Sequence, residues 1–596
     1  MNRRVNGAFV TLVLLLSLAL PTFVFSQQTQ TPSAPRRGDS ERGSVAGPVG
    51  PTARTRRERT RVDPAAAAAA GIEGDLAEAL TIIEDNYVDG VKLDYNNVFK
   101  SSIIGMLRSL DPHSNFYDAK EYEDQKANWR SEYYGIGATI GDRRVGDQTD
   151  TYILATFEKT PAGRAGLRFG DRIVEIDGQS VRGKTSAEVR DRLRGPQGSI
   201  VKLTIERAST GNREIVQIAR DAVSQPTVPD YYMIRPGVGY IDMTDSFNYT
   251  TGQEFVHALE ELRSQGMTSL VLDLRNNGGG ILEASVKVAE QFLQQGQIIL
   301  TQKGRGARAT DRVIRSENSQ PDNSPLVVLI NRGTASASEI LAGALQDHDR
   351  ALIIGETSFG KGLVQSIMQL DYGTALTLTT SKYFTPSGRL VQRDYSGVSF
   401  YDYIYNRAGA PEADDEKATQ QQQPSKPTGP EAHTDTGRPI YGGGGIAPDE
   451  AVKSRVMSAV QQRLVDPVFA FARELVNGRI SGFESYKIQR PVDFKHNLQP
   501  DELVVDEKLF KAFKEYVATK GEAYRLTEAQ IDKQREFVKR QLRYDLATAS
   551  YGSVKAVQVY MADDPQVTRA IESLPRAREL AAAAMRGRNP PQKSYE

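Results

Sequence analysis

The sequence predicts an α/β fold with a β-rich insert and helical flanks, on three observations. Strand-like and helix-like segments alternate from Gly239 to Leu345, the pattern of a sheet with helices laid on it. Short strand patterns broken by glycine turns run from Gly135 to Ile205, describing a small β-rich module. Beyond residue 451 the chain is charged, with apolar residues at helical spacing. Composition fits: 596 residues suggest three or four domains, and 39% hydrophobic with 25% charged residues is globular. With 75 basic and 75 acidic residues the net charge is zero, so no nucleic-acid partner is expected. The absence of cysteine excludes disulfides, thiolate metal sites and a cysteine nucleophile.

The N-terminus reads as an export signal. Asn2-Arg3-Arg4 precedes an apolar run from Ala8 to Phe25, with Val24 and Ser26 placed at −3 and −1 of a cleavage site. Cleavage gives an exported, periplasmic or extracytoplasmic protein; retention of residues 1–26 as an anchor is the alternative. With no cysteine following, a lipoprotein anchor is excluded. Residues 27–64, rich in Pro, Gly, Ser, Thr and Arg, read as a disordered linker. A helical region over 65–130 ends near Leu110-Asp111-Pro112-His113-Ser114, where His113 reads as a structural turn residue. The module follows over 131–210. It holds Gly135-Ile136-Gly137, Thr160-Pro161-Ala162-Gly163, Gly170-Asp171 and an Asp177-Gly178 turn.

The α/β core spans 211–455. Its strand Ser269–Arg275 runs into Asn276-Asn277-Gly278-Gly279-Gly280, whose backbone N–H groups suit an oxyanion; a phosphate loop is the rival, without its usual lysine or acid. Leu326–Ile330 reads as a buried strand and Ile340–Leu345 as a helix, joined by the small-residue turn Asn331–Glu339. Such a turn can present a serine beside a helix N-terminus, although Ser336 or Ser338 could equally just cap the helix. Downstream, Gly360-Lys361-Gly362 precedes a strand over Leu363–Met368. A buried lysine loses its charge and can act as a base, and a period of two puts Lys361, Leu363 and Gln365 on one face. A surface lysine in a turn is the plainer alternative.

The pairing of Gly-Thr-Ala-Ser-Ala-Ser-Glu-Ile at 333–340 with Gly-Glu-Thr-Ser-Phe-Gly-Lys-Gly-Leu-Val-Gln at 355–365 resembles the carboxy-terminal processing (tail-specific) peptidases of family S41. The resemblance implies Ser336 as nucleophile, Lys361 as general base 25 residues on, and Gln365 as the orienting residue four further. It sharpens the core to the ββα units shared by ClpP and crotonase, and it covers roughly residues 75–450. It also implies an oxyanion hole from the Ala337 N–H together with Gly279 or Gly280, a choice the sequence leaves open. The module resembles a PDZ domain of the protease-associated type. Gly135, Ile136 and Gly137 would then form the loop that catches a terminal carboxylate, and Arg194 would couple peptide occupancy to the protease site.

The whole implies an exported serine endopeptidase that needs no metal or cofactor and acts on protein or peptide substrates with exposed C-terminal tails. An adaptor or activator protein and a homodimer through terminal helices are further implied partners. Two rivals are weighed: a catalytically silent PDZ scaffold and a crotonase-type acyl-CoA enzyme. The chain departs from the family pattern in an insertion at about 394–443, before Gly445-Ile446-Ala447-Pro448-Asp449, which reads as a tolerated loop. Residues 456–596 read as a helical domain packing its own core.

Overall fold

A fully apolar five-residue strand needs cover on both faces, and Leu326–Ile330 has it: all five residues are buried. A computed structural model describes residues 64–89, 93–305, 311–404 and 429–588. The signal segment 1–26, the linker up to residue 63 and the centre of the 394–443 insertion lie outside the described residues.

Leu326–Ile330 belongs to a six-stranded sheet in the order Tyr231–Arg235, Val238–Asp242, Ser269–Asp273, Leu326–Ile330, Leu352–Gly355, Glu450–Ala451. The first pair is antiparallel and the rest are parallel. Alternate residues face opposite ways. Leu270, Leu272, Val328 and Ile330 meet helices Thr251–Ser264, Leu282–Glu290 and Ala337–Asp347 through Phe255, Leu259, Val288 and Leu341. Val271, Val327, Leu329 and Ile354 point to the other face, which is closed by Val567, Ala570, Leu574 and Ala577. Those four come from helices Pro565–Glu572 and Leu574–Arg588. The last helices of the chain therefore complete the α/β layer. The helical core expected for 456–596 forms from the earlier helices, among them Ala459–Val476, Glu507–Thr519 and Arg535–Tyr551, through Phe469, Phe471, Phe513 and Leu542, with Tyr152, Leu154 and Phe169 of the β-rich module packed into it.

A second sheet pairs Asn115–Tyr117, Ala375–Phe384, Ile298–Gly304 and Arg312–Arg315, with Leu363–Gln369 also on Ala375–Phe384. The β-rich module is a separate six-stranded sheet with Ala138–Val145 at its edge. Its core gathers Ile153, Ile173, Val189, Leu193, Leu203 and Ile205. Strand Glu132–Gly135 enters and Asp221–Ser224 leaves, and the two pair antiparallel, so the module is tied at one place. It also meets the helical region, where Arg473 Nε donates to Gly170 O at 2.8 Å and Arg479 Nη1 to Ala208 O at 2.6 Å, beside an aromatic contact. Tyr152 and Phe169 meet Phe469 of the helical region edge-on at centroid distances of 5.4 and 5.2 Å. Among the described residues no helix is long and apolar enough to cross a membrane.

Candidate active site

The site forms where parallel strands end and their loops meet. After Leu326–Ile330 the chain turns: Thr334 Oγ1 donates to Leu274 O on the neighbouring strand at 2.7 Å, and Ala335 N donates to Asn277 O at 2.9 Å. These bonds deliver Ser336 into a backbone conformation with φ +56° and ψ −117°, directly before helix Ala337–Asp347. A non-glycine residue in this region is strained by roughly 1–3 kcal/mol, and such strain concentrates at functional sites.

Lys361 reaches the same place from the next strand, Leu352–Gly355. The loop between is stitched back: Glu356 N donates to Ile330 O at 3.0 Å and Phe359 N to Thr334 O at 2.8 Å. Lys361 is fully buried, and burial lowers its pKa from the ordinary lysine value to about 7, against the upward pull of Asp111 and Glu339. A substantial neutral fraction near pH 7 follows.

Two buried side chains hold the Ser336 turn and the lysine together. The Glu339 carboxylate accepts Ser336 N at 2.8 Å and Lys361 N at 2.8 Å on Oε2, with Gly360 N at 2.7 Å and Ser358 Oγ at 2.5 Å on Oε1. Burial raises its pKa against these four stabilising contacts. Tyr383 donates its hydroxyl to Ser336 O at 3.0 Å and Lys361 O at 2.6 Å. The sequence reading gave neither residue a role. The Ser336–Glu339 contact is a local capping box, whereas the Glu339 bonds to Ser358, Gly360 and Lys361 and both Tyr383 bonds join segments distant in sequence, which no local pattern reveals.

Gln365 is buried and donates Nε2 to Thr379 Oγ1 at 2.9 Å. The period-two pattern that would place it with Lys361 and Leu363 on one face is interrupted by a bulge. The register shifts between Val364 and Gln365, and every residue from Lys361 to Gln365 is buried. The glycine loop presses against the serine: a Cβ on Gly279 would lie 2.8 Å from Ser336 Cβ and 2.9 Å from Ala337 N. Gly279 N is spent on Asn277 Oδ1 at 2.9 Å, and the same oxygen accepts Ser338 Oγ at 2.7 Å. Gly280 pairs in a parallel bridge with Phe247, whose N and O bond Gly279 O and Ile281 N. Those bonds use the backbone on either side of Gly280 and leave its own N–H directed away from Phe247.

His113 is more than a remote turn residue. Asp111 accepts His113 N and Ser114 N, each at 2.8 Å, and its charge acts on Lys361. His113 Nε2 lies 3.0 Å from Tyr403 Oη, in helix Phe400–Ile404 at the start of the insertion. Burial, then Lys361 and Arg393, push its pKa well down. Tyr403 also packs with Phe359 and Ala335, so the described start of the insertion borders the loops that carry Ser336 and Lys361.

In the module, Gly137 has φ +75°, and a Cβ there would fall 2.3 Å from Thr160 Cβ. Ile136 O accepts Ala162 N at 2.7 Å while its side chain joins the module core. Arg194 is exposed and stacks over Tyr133 at 5.2 Å, beside Gly135 and apart from Ser336 in its described contacts. No cluster of metal-ligating residues occurs among the described residues.

Comparison with known proteins matches Peptidase family S41 over residues 237–399 and a PDZ domain over 158–207. A carboxy-terminal-processing protease of Bartonella bacilliformis is 38% identical over 303 residues, covering 50% of this chain and 68% of the relative. A carboxyl-terminal-processing protease of Picosynechococcus is 37% identical over 46% of this chain and 66% of its own. The solved photosystem II D1 C-terminal processing protease is 32% identical over 53% of this chain and 89% of that one, with a TM-score of 0.31.

Proposed function

This chain belongs to the carboxy-terminal-processing proteases, serine-type peptidases of family S41, and we propose that it is an exported endopeptidase working through Ser336 and Lys361. The observation that carries the reading is Lys361: fully buried, pKa lowered to about 7, and fastened through Glu339 to the backbone of the strained serine. Neutral Lys361 takes the proton from Ser336 Oγ as the oxygen attacks the scissile carbonyl. The Ala337 and Gly280 N–H groups receive the oxyanion; Gly279, its N–H already bonded, serves by letting the loop approach. Lys361 then protonates the leaving amine, and water resolves the acyl-enzyme. Gln365, its Nε2 anchored on Thr379, offers Oε1 to the lysine amine.

The PDZ module recruits substrates by their C-terminal tails. An extended tail adds to the edge strand Ala138–Val145, its carboxylate met by amides of Gly135, Ile136 and Gly137, with Arg194 nearby to report occupancy. Export rests on the residue 1–26 pattern. Exposed Ile72, Ile82, Phe99 and Met106 on the N-terminal helices support a homodimer or an adaptor contact.

The test is hydrolysis of an unfolded protein with an apolar C-terminus. Wild type cleaves it, and Ser336→Ala loses at least ~10³-fold in kcat with an unchanged circular dichroism spectrum. Equal cleavage by both would discard the assignment. Gly280→Ala is expected to fail as well, because its Cβ would sit 1.9 Å from Phe247 O at a φ of +144°. The loop must shift, so kcat drops by about 100-fold or more and thermal unfolding shows a loss of roughly 2–4 kcal/mol.

A further inference from the structure

The C-terminal helices reach the catalytic loops through a buried polar junction as well as through apolar packing. Gln566, in the first turn of helix Pro565–Glu572, is fully buried and uses both ends of its amide. Its Oε1 accepts Arg275 Nη1 at 2.9 Å, and its Nε2 donates to Val452 O at 2.7 Å and Ser454 Oγ at 3.3 Å. The amide has one possible orientation. A guanidinium can only donate and a carbonyl can only accept, so a flipped amide would oppose donor to donor and acceptor to acceptor.

The partners stand directly before the two catalytic loops. Arg275 precedes Asn276 and Asn277, the latter holding Gly279 N and Ser338 Oγ. Its guanidinium is fixed on Asp273 by Nε at 2.9 Å and Nη2 at 2.6 Å, and on Asp564 Oδ2 by Nη1 at 3.0 Å. On the other side, Val452 N bonds Gly355 O at 2.9 Å and Ser454 N bonds Glu356 Oε1 at 2.8 Å, at the start of the loop to Lys361. One amide therefore spans the root of the glycine loop and the root of the lysine loop. Apolar contact through Val567, Ala570 and Leu574 already seats the helix on the sheet. A buried network of charged and amide groups adds desolvation cost, and what it contributes is fixed geometry.

We infer that Gln566, with Asp564, is a positioning residue: the C-terminal helix sets the spacing between the oxyanion loop and the lysine loop. The inference rests on the serine-peptidase reading only for its kinetic consequence. Gln566→Met keeps the side-chain volume and removes both polar links, while Val567→Ala loosens the same helix without touching them.

In the full chain, Gln566→Met lowers kcat by about 10–100-fold with KM within twofold, the size expected for reacting groups displaced by about 1 Å. Val567→Ala lowers the melting temperature and leaves kcat of the folded protein unchanged. Hydrogen exchange, which does not depend on turnover, speeds up by about tenfold at residues 276–281 and 356–362 in Gln566→Met and not in the β-rich module. Unchanged loop exchange in Gln566→Met, or an equal kcat loss in Val567→Ala, would overturn the inference. If wild type fails to hydrolyse while Gln566→Met still loosens both loops, the positioning role stands and the peptidase reading falls.

Discussion

Replacing Lys361 with methionine stabilises the folded protein and ends its hydrolytic activity. The lysine is fully buried and its pKa lies at about 7 in the fold against 10.5 in an exposed setting. The unfolded chain therefore binds a proton that the native state gives up between about pH 7 and 10.5. Stability rises with pH across that window, and the penalty is complete below it. Methionine fills similar space with no proton to lose, so near pH 7 the variant gains on the order of 2–4 kcal/mol in denaturant unfolding. The activity counterpart has the same origin. The base must be neutral, so kcat/KM of wild type climbs up to tenfold per pH unit below about 7 and levels above it. A flat profile from about pH 5.5 to 8.5, or unaltered stability in Lys361→Met, would remove Lys361 as the base.

Glu339→Gln is expected to be nearly as damaging as Glu339→Ala. Each carboxylate oxygen accepts two donors: Ser336 N and Lys361 N on one, Gly360 N and Ser358 Oγ on the other. A glutamine amide must turn its NH₂ toward one of these pairs, and a backbone N–H waits at either end. Buried donors left without acceptors cost about 1–3 kcal/mol each, so both variants lose roughly 3–5 kcal/mol of stability and about 10²–10³-fold in kcat. Residual activity carries a diagnostic sign. Glu339 pulls the Lys361 pKa upward, so its neutralisation moves the midpoint of the pH profile below that of wild type. A midpoint moving the other way, or wild-type activity in Glu339→Gln, would show that the carboxylate does not tie the two loops.

The Ser336 turn was legible because its signals are local. An apolar run, a small-residue turn and helix formers occupy consecutive residues and appear as Leu326–Ile330, the strained Ser336 and helix Ala337–Asp347. Lys361 stood out through its flanking glycines before a strand and through the family resemblance. What stayed hidden depends on partners far along the chain. Glu339 acts on residues 19–22 positions later, and Gly279 is occupied by an asparagine two residues before it. The shift at Val364 and Gln365 arises from pairing with Ala375–Phe384, which the strand's own alternation cannot encode. Helical spacing over 565–588 announced a buried face without saying what it faced; the answer was the sheet itself.

Ser336 sits in a conformation that glycine would occupy with less strain. A lineage released from any need for a nucleophile would drift toward glycine there, because the most accessible stabilising changes remove strain of this kind. A descendant kept only as a tail-binding module would be expected to shed this serine early and to keep the glycines that shape its loops. Among related chains with this backbone, a serine kept at this one strained position is the expected sign of continued selection for chemistry.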